Sequence, residues 1–376
     1  MNQYILLSGK QKRLFIAVAI VAVLLSIIGG VALEQYYRLE VCNFESMDGE
    51  SHGYYIYPGA TLDSIVDVMR ADYEIASEAD WHWHKKQLAF ATPKPGYYRF
   101  PPRVGDKHLI RRLQMGEQTS VRLTFNNEIR TREHLAGRLG KVLLLDSATI
   151  QSALEDDDFL ARYGLNKETS RCLFLPDTYD VYWTYTVEDL FDRMQREYNK
   201  FWTAERKHKA DSIGLTPIEV QIVASIVECE TNKKSEYPFI ASLYTNRVHK
   251  GMHLQACPSV KYAVGDFKLR RVLNRHLAVD HPYNTYKYPG LPPGPLRCAN
   301  KSTIDDVLNQ PHTDYLFMCA NPDFSGTHIF SSSYGSHAST AVSYRHNLDI
   351  REAERRRLEQ HIADSIAKAE KAANNF

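Results

Sequence analysis

The chain has 376 residues, more than one compact domain usually holds, so two or three folded units are expected. Its 46 Lys and Arg face 45 Asp and Glu, a net charge of +1 with no basic excess to neutralise phosphates. Nucleic-acid binding is set aside on that ground.

The first predicted element is the uncharged run Leu14 to Leu33, LFIAVAIVAVLLSIIGGVAL. Twenty apolar residues span a hydrocarbon core of about 30 Å as a helix, so 14–33 reads as transmembrane. Lys10, Lys12 and Arg13 precede it and Glu34 follows, which places residues 1–13 in the cytoplasm and the bulk of the chain outside. The run is longer than a signal-peptide core, and Ala32-Leu33-Glu34 is a poor cleavage site, so the anchor is expected to stay attached. Cys42, Cys172, Cys229, Cys257, Cys298 and Cys319 all follow it, in a compartment where disulfides persist. No CxxC occurs, so metal binding has no spacing support. Cys257 and Cys298, both in Pro-rich loops, are the candidate bridge.

Residues 53–140 carry a loosely repeated unit: an extended apolar run, a turn, then a short amphipathic helix. Its three copies are YYIYPGATLDSIVDVM (54–69), YYRFPPRVGDKHLIRRL (97–113) and VRLTFNNEIRTREHLAGRL (121–139). Alternating Tyr, Phe and Ile predict the strands, and Ile65/Val69, Leu109/Leu113 and Leu135/Leu139 predict the helical faces. The chain is rich in Tyr, with 23. Such rings either stack on sugars in a glycan cleft or pack half-buried strands.

Residues 146–215 read as helices around a loop, SRCLFLPDTYDVYWTYT (170–186). Thr216 and Pro217 then form the N-cap and first position of a strong helix. From 252 to 298 the chain is rich in Pro, Gly and Tyr, the loop chemistry on which site residues commonly sit. The stretch 349–376 is a charged helix former with a solvated reading. His249, His253, His276 and His281 lack the i, i+4 spacing with a supporting Glu that a zinc site shows, so no metal and no cofactor is expected. Ser331–Ser333 lack a nucleophile elbow, which disfavours a serine hydrolase.

One carboxylate stands out. At about 100° per residue, Ile222, Val223, Ile226 and Val227 form one apolar arc, with Gln221, Ser225 and Glu228 opposite. Glu230 falls inside the arc, at the C-terminal end of the helix, where desolvation and the macrodipole both favour the neutral acid. Glu228 points about 200° away and is expected to be solvated or ion-paired.

The segments ASIVECET (224–231), ASLYTNRVHKGMHLQACPSVKYAVG (241–265), YNTYKYPGLPPGPL (283–296) and HIFSSSYGSH (328–337) follow one another in an order that resembles the MltG/YceG-like family of endolytic murein transglycosylases. GYYRFPP (96–102) and FLPDTYDVY (174–182) fit the same pattern, so the resemblance covers about 53–347. It implies an α+β chain with an N-terminal transmembrane helix, small LysM-like β-α modules over 53–140 and a mixed α/β YceG-like catalytic domain over 146–347. The family's catalytic acid is the second Glu of the ExET motif, which corresponds to Glu230. Candidate substrate-binding residues are Ser225, Glu228, Gln255, Asn284, Tyr286, Pro292 of the LPPGP loop, Asp177 and His328, with His337 beside them. Cys229 in the helix motif and Cys257, where the family carries Asp, are departures.

The resemblance implies a terminase that cuts nascent peptidoglycan strands at the bacterial plasma (inner) membrane, with the catalytic domain periplasmic and peptidoglycan synthases as partners. A lytic enzyme manages with one carboxyl group, because the C6 hydroxyl of MurNAc closes a 1,6-anhydro ring on its own sugar. Two rivals differ in class: a non-catalytic glycan-binding scaffold, and a hydrolase with Glu228 or Asp177 as the second carboxylate.

Overall fold

Helix α1, Gly9–Glu40, opens the fold behind a capping box in which Ser8 accepts from the Gln11 N–H. Its apolar side chains stand exposed and none of its residues is buried. It is long and apolar enough to cross a membrane. The structure is a computed structural model that describes residues 8–269 and 271–373. Part of the expected cytoplasmic segment 1–13, and the last three residues of the expected 349–376 helix, lie outside the described residues.

The first compact unit comprises the chain up to Arg122 together with Val142–Leu144 and Asp180–Tyr185. It contains β1 (Phe44–Ser46), β2 (His52–Ile56), α2 (Leu62–Met69), β3 (Tyr73–Ile75), α3 (Glu78–Leu88), β4 (Gly96–Phe100), β5 (Arg103–Val104) and α4 (Asp106–Met115). β1 lies between β3 and β5, antiparallel to both, and β2 pairs antiparallel with β4 from His52 opposite Phe100 to Ile56 opposite Gly96. Strand alternation sends Tyr54, Ile56, Tyr98 and Phe100 into a core with Phe44 and Trp81. It turns Tyr55 and Tyr57 outward, where they pack on Tyr97 and Trp183 at centroid distances of 4.8 to 5.1 Å. Buried Asp106 is fully engaged, 3.0 Å from the Asn43 amide through both oxygens and 2.5 Å from His84 Nδ1. The end of α1 joins this unit through an ion pair from Arg38 to Asp80 at 2.6 Å.

β6 (Val121–Thr124) pairs with β7 (Thr178–Val181). Between them run α5 (Arg132–Gly140), α6 (Ser147–Glu155) and α7 (Asp157–Ala161). All three expected strand-helix pairs therefore form, as β2-α2, β4-α4 and β6-α5. The first two pairs belong to the first unit, whereas α5 belongs to the second.

The second unit continues with α8 (Val187–Phe201), α9 (Ala204–Ser212), α10 (Pro217–Glu230), α11 (Tyr237–His249), α12 (Cys257–Val264), α13 (Asn274–Leu277) and α14 (Lys301–Leu308). It closes with the antiparallel hairpin of β8 (Phe317–Ala320) and β9 (His328–Ser331), then α15 (Tyr334–Ala373). α10 is the central element, packed against α9, α11, α12 and α14. The charged run from 349 continues a helix that starts at Tyr334, because its first turns pack on the β8-β9 hairpin.

The expected Cys257–Cys298 bridge is absent. Cys257 is an exposed residue at the start of α12, whereas Cys298 is buried with its thiol toward the Arg171 carbonyl, and both are free. Loop composition placed both in turns but carried no information on separation.

Candidate functional site

The site grows from α10. Thr216 caps it by accepting from the Glu219 N–H at 3.3 Å, while Glu219 accepts from the Thr216 N–H at 2.8 Å. From Val220 to Glu228 the helix is buried on every side, so the polar face drawn on the helical wheel meets protein rather than water: Gln221, Ser225 and Glu228 are all buried. A wheel reports periodicity, and a helix enclosed by four neighbours has no solvent face for it to find.

This changes the standing of two candidates. Ser225 Oγ donates to the Ile222 carbonyl at 2.7 Å and accepts from the Leu296 N–H at 2.9 Å, so it holds the end of the LPPGP loop. Glu228 accepts from the Asn300 N–H at 2.9 Å, Thr303 Oγ1 at 2.7 Å and Asn127 Nδ2 at 3.0 Å, with Arg297 Nε 3.7 Å away. The expected ion pairing is present and the expected solvation is not. Its lone pairs are taken up in joining α10 to the chain around Asn300.

Glu230, in the last turn of α10, is only partly covered and opens into a cleft of 320 Å³. Tyr244 of α11 donates its hydroxyl to Glu230 Oε1 at 2.5 Å. Burial raises the Glu230 pKa; the Tyr244 hydrogen bond and the nearby His328 and Lys261 side chains oppose that rise without cancelling it. The result is a carboxyl group that stays protonated above the usual carboxylate range yet can release its proton into a cleft.

The remaining walls come from four segments. Leu243, Tyr244 and Arg247 of α11 form one side, Gln255 and Cys257 a second, Tyr286 a third, and β8 with His328, Tyr334 and His337 a fourth. Arg247 ties them together: Nε donates to the Leu316 carbonyl at 2.6 Å and Nη1 to those of His253 and Leu254 at 3.1 and 2.8 Å. Gln255 is held at φ 49°, in the left-handed region that a non-glycine residue rarely adopts, by its N–H bond to the Thr285 carbonyl at 3.1 Å. Tyr286 Oη lies 3.4 Å from Cys257 Sγ, and burial pushes the Tyr286 pKa upward.

Gln255, Tyr286, His328 and His337 thus line the cleft with Glu230, whereas Ser225, Glu228, Asn284, Pro292 and Asp177 do not. Asn284 is buried and builds its loop, donating to the Leu277 and Val279 carbonyls at 3.0 and 2.8 Å and accepting from the Tyr286 N–H at 3.1 Å. It therefore presents Tyr286. Pro292 is buried; two residues on, a Cβ at Gly294 would stand 2.0 Å from the Glu168 carbonyl oxygen, so that loop approaches backbone more closely than a side chain permits. Asp177 is exposed and paired with Lys301 at 2.5 Å.

Tyr244, Arg247, Phe317 and Tyr334 are cleft residues that the sequence reading did not single out. The Tyr244/Arg247 spacing of three on one helix was the available signal. A roomier depression of 560 Å³ on another side of α11 is lined by polar groups, but its carboxylates Asp211 and Asp314 are exposed. The partly buried acid sits in the smaller cleft.

Residues 54–342 match the sequence profile of the YceG-like family. An endolytic murein transglycosylase of Bacillus subtilis is 26% identical over 304 residues, which cover 76% of this chain and 82% of that protein. An endolytic murein transglycosylase of Streptococcus pneumoniae is 27% identical over 270 residues, 64% of this chain and 48% of that one, so the match spans about half of that relative's length. The crystal structure of a yceG-like protein from Listeria monocytogenes superposes with a TM-score of 0.51 at 24% identity, covering 77% of this chain and 98% of the other, a likeness of fold. With more than three quarters of its residues inside the family profile, the chain belongs to the YceG-like family.

Proposed function

We propose that the chain is an endolytic murein transglycosylase that cleaves the MurNAc–GlcNAc bond of peptidoglycan strands, with Glu230 as the catalytic acid. The observation that carries this reading is that Glu230 is the single carboxyl group among the described residues lining its cleft. Hydrolysis by the usual route needs a second carboxylate within about 5 to 9.5 Å to attack or to activate water. Glu228 is committed to four internal partners and Asp177 to Lys301, so neither supplies it.

In the proposed reaction the Glu230 carboxyl gives its proton to the glycosidic oxygen as the C1–O bond breaks. The MurNAc C6 hydroxyl attacks C1 and leaves a 1,6-anhydro end, and the ionised Glu230 is available to take the hydroxyl proton. The nucleophile is tethered to its target, an arrangement with effective molarity on the order of 10⁵ M or more, so no water needs activation. The resemblance to named murein transglycosylases supports the substrate class.

α1 anchors the chain in the bacterial plasma membrane, with its N-terminus cytoplasmic and its catalytic unit outside, as the Lys10, Lys12, Arg13 flank suggests. Cutting nascent strands beside that membrane would make it a terminase working with peptidoglycan synthases. The LysM-like reading of 53–140 finds support in the exposed rings of Tyr55 and Tyr57, an aromatic surface of the kind that packs on sugar.

End groups decide among the readings. The full chain in detergent micelles, given uncrosslinked glycan strands, is expected to yield internal cuts with anhydro ends by mass spectrometry. Reducing ends would indicate a hydrolase, and uncut strands that remain bound a scaffold.

A further inference from the structure

The transglycosylase reading assigns both proton transfers to one carboxyl group. The cleft holds a second group arranged for one of them. His328, at the start of β9, gives its ring Nδ1 to Glu236 Oε2 at 3.0 Å, and its backbone N–H donates to Glu236 Oε1 at 2.5 Å. Glu236 is buried, and Thr231, the residue next to Glu230, donates its hydroxyl to it at 3.3 Å. The carboxylate that orients the imidazole is therefore tied to the residue following the acid. Nδ1 is engaged with Glu236 while His328 lines the same cleft as Glu230. A carboxylate on one ring nitrogen fixes the tautomer and leaves the other as a proton acceptor, the arrangement that makes an imidazole a general base. Meanwhile the Tyr244 hydroxyl that stabilises ionised Glu230 weakens that carboxylate as a base.

We propose, building on the transglycosylase reading, that His328, oriented by Glu236, is the general base that accepts the proton of the MurNAc C6 hydroxyl. Glu230 gives its proton to the glycosidic oxygen, the C1–O4 bond breaks, and the departing GlcNAc keeps that proton as its 4-hydroxyl. The MurNAc O6 bonds to C1 and its proton passes to His328 Nε2. The imidazolium formed is stabilised by Glu236, and proton transfer through solvent returns His328 to neutral and Glu230 to its acid form. No water is consumed.

The test compares variants of the full chain in detergent micelles on uncrosslinked glycan. His328→Asn keeps an amide where Nδ1 meets Glu236 but deletes Nε2. It is expected to melt at the wild-type temperature while forming anhydro ends about 100-fold more slowly. His328→Ala is expected to recover activity with added imidazole but not with pyrazole, which has the same shape and little basicity, a distinction that a packing role would not produce. If His328→Asn misfolds, Glu236→Gln carries the comparison, with a loss of roughly tenfold expected in a folded protein. The proposal is overturned if folded His328→Asn stays within roughly threefold of wild type, if imidazole and pyrazole rescue equally or not at all, or if folded Glu236→Gln is fully active. Glu230→Gln in the same assay keeps the two ideas apart: its activity sinks the acid assignment, whereas a wild-type-like His328→Asn sinks only the base.

Discussion

Tyr244 and Glu230, fourteen residues apart in sequence, share a 2.5 Å hydrogen bond in which the phenol donates to the carboxyl group of the last turn of α10. Burial drives the Glu230 pKa up, and this donor is the largest influence holding it down. The pair sets the strength of the acid.

Replacing Tyr244 with Phe removes the donor and keeps the shape. The anion loses a partner, so the Glu230 pKa rises further, and a reaction that needs the protonated acid persists to higher pH. The alkaline limb of the pH–rate profile is expected to move up by about one unit, with the maximum rate several-fold lower, because a hydrogen bond to a charged group is worth about 1.5–3 kcal/mol. A limb that stays in place, or moves down, contradicts the pairing.

Glu228 is expected to matter to stability through the groups it leaves behind. Glu228→Ala strips partners from Asn300, Thr303 and Asn127 and leaves Arg297 nearly buried beside the gap. Removing one member of a buried pair costs about 3–5 kcal/mol, so thermal unfolding of the variant should fall by many degrees. A melting temperature near that of wild type would show that the buried network does not hold α10.

The contrast between Glu230 and Glu228 shows how much the residues alone conveyed. Period and cap chemistry located α10, its Thr216 start and the carboxyl group on its apolar arc, because these are local properties. The opposite arc misled because α9, α11, α12 and α14 close around α10 and bury Gln221, Ser225 and Glu228, a packing that the periodicity of α10 alone does not record. Tyr244, Arg247 and Phe317 escaped notice for the same reason: each becomes a cleft residue only once α11 and the β8-β9 hairpin have packed. Loop motifs led to Gln255, Tyr286 and His328, yet could not separate them from Asn284, which faces inward to hold the loop that carries Tyr286.

Gly294 tests the loop itself. A methyl group there would meet the Glu168 carbonyl oxygen at 2.0 Å and the Tyr283 hydroxyl at 2.8 Å, and backbone cannot swing aside as a side chain would. Gly294→Ala is expected to destabilise the fold by about 1–3 kcal/mol in chemical denaturation. An unchanged midpoint would mean that the loop shifts freely.

Cys257 offers a reagent's view of the cleft. It is exposed, whereas the other five cysteines are buried or half-buried. N-ethylmaleimide should label it first, and the adduct should slow cleavage by roughly tenfold or more by crowding Tyr286. Cys257→Ser should resist the reagent. Equal inactivation of the serine variant would place the sensitive thiol elsewhere.

Substitution of Glu230 by Gln, with end groups of digested uncrosslinked glycan read by mass spectrometry, bears most directly on the catalytic assignment. The side chain keeps its size and its acceptor for Tyr244 but has no proton to give. Wild type is expected to leave 1,6-anhydro ends, and the folded variant to be slower by at least about 10³-fold. Anhydro ends accumulating at a wild-type rate would show that another group breaks the bond.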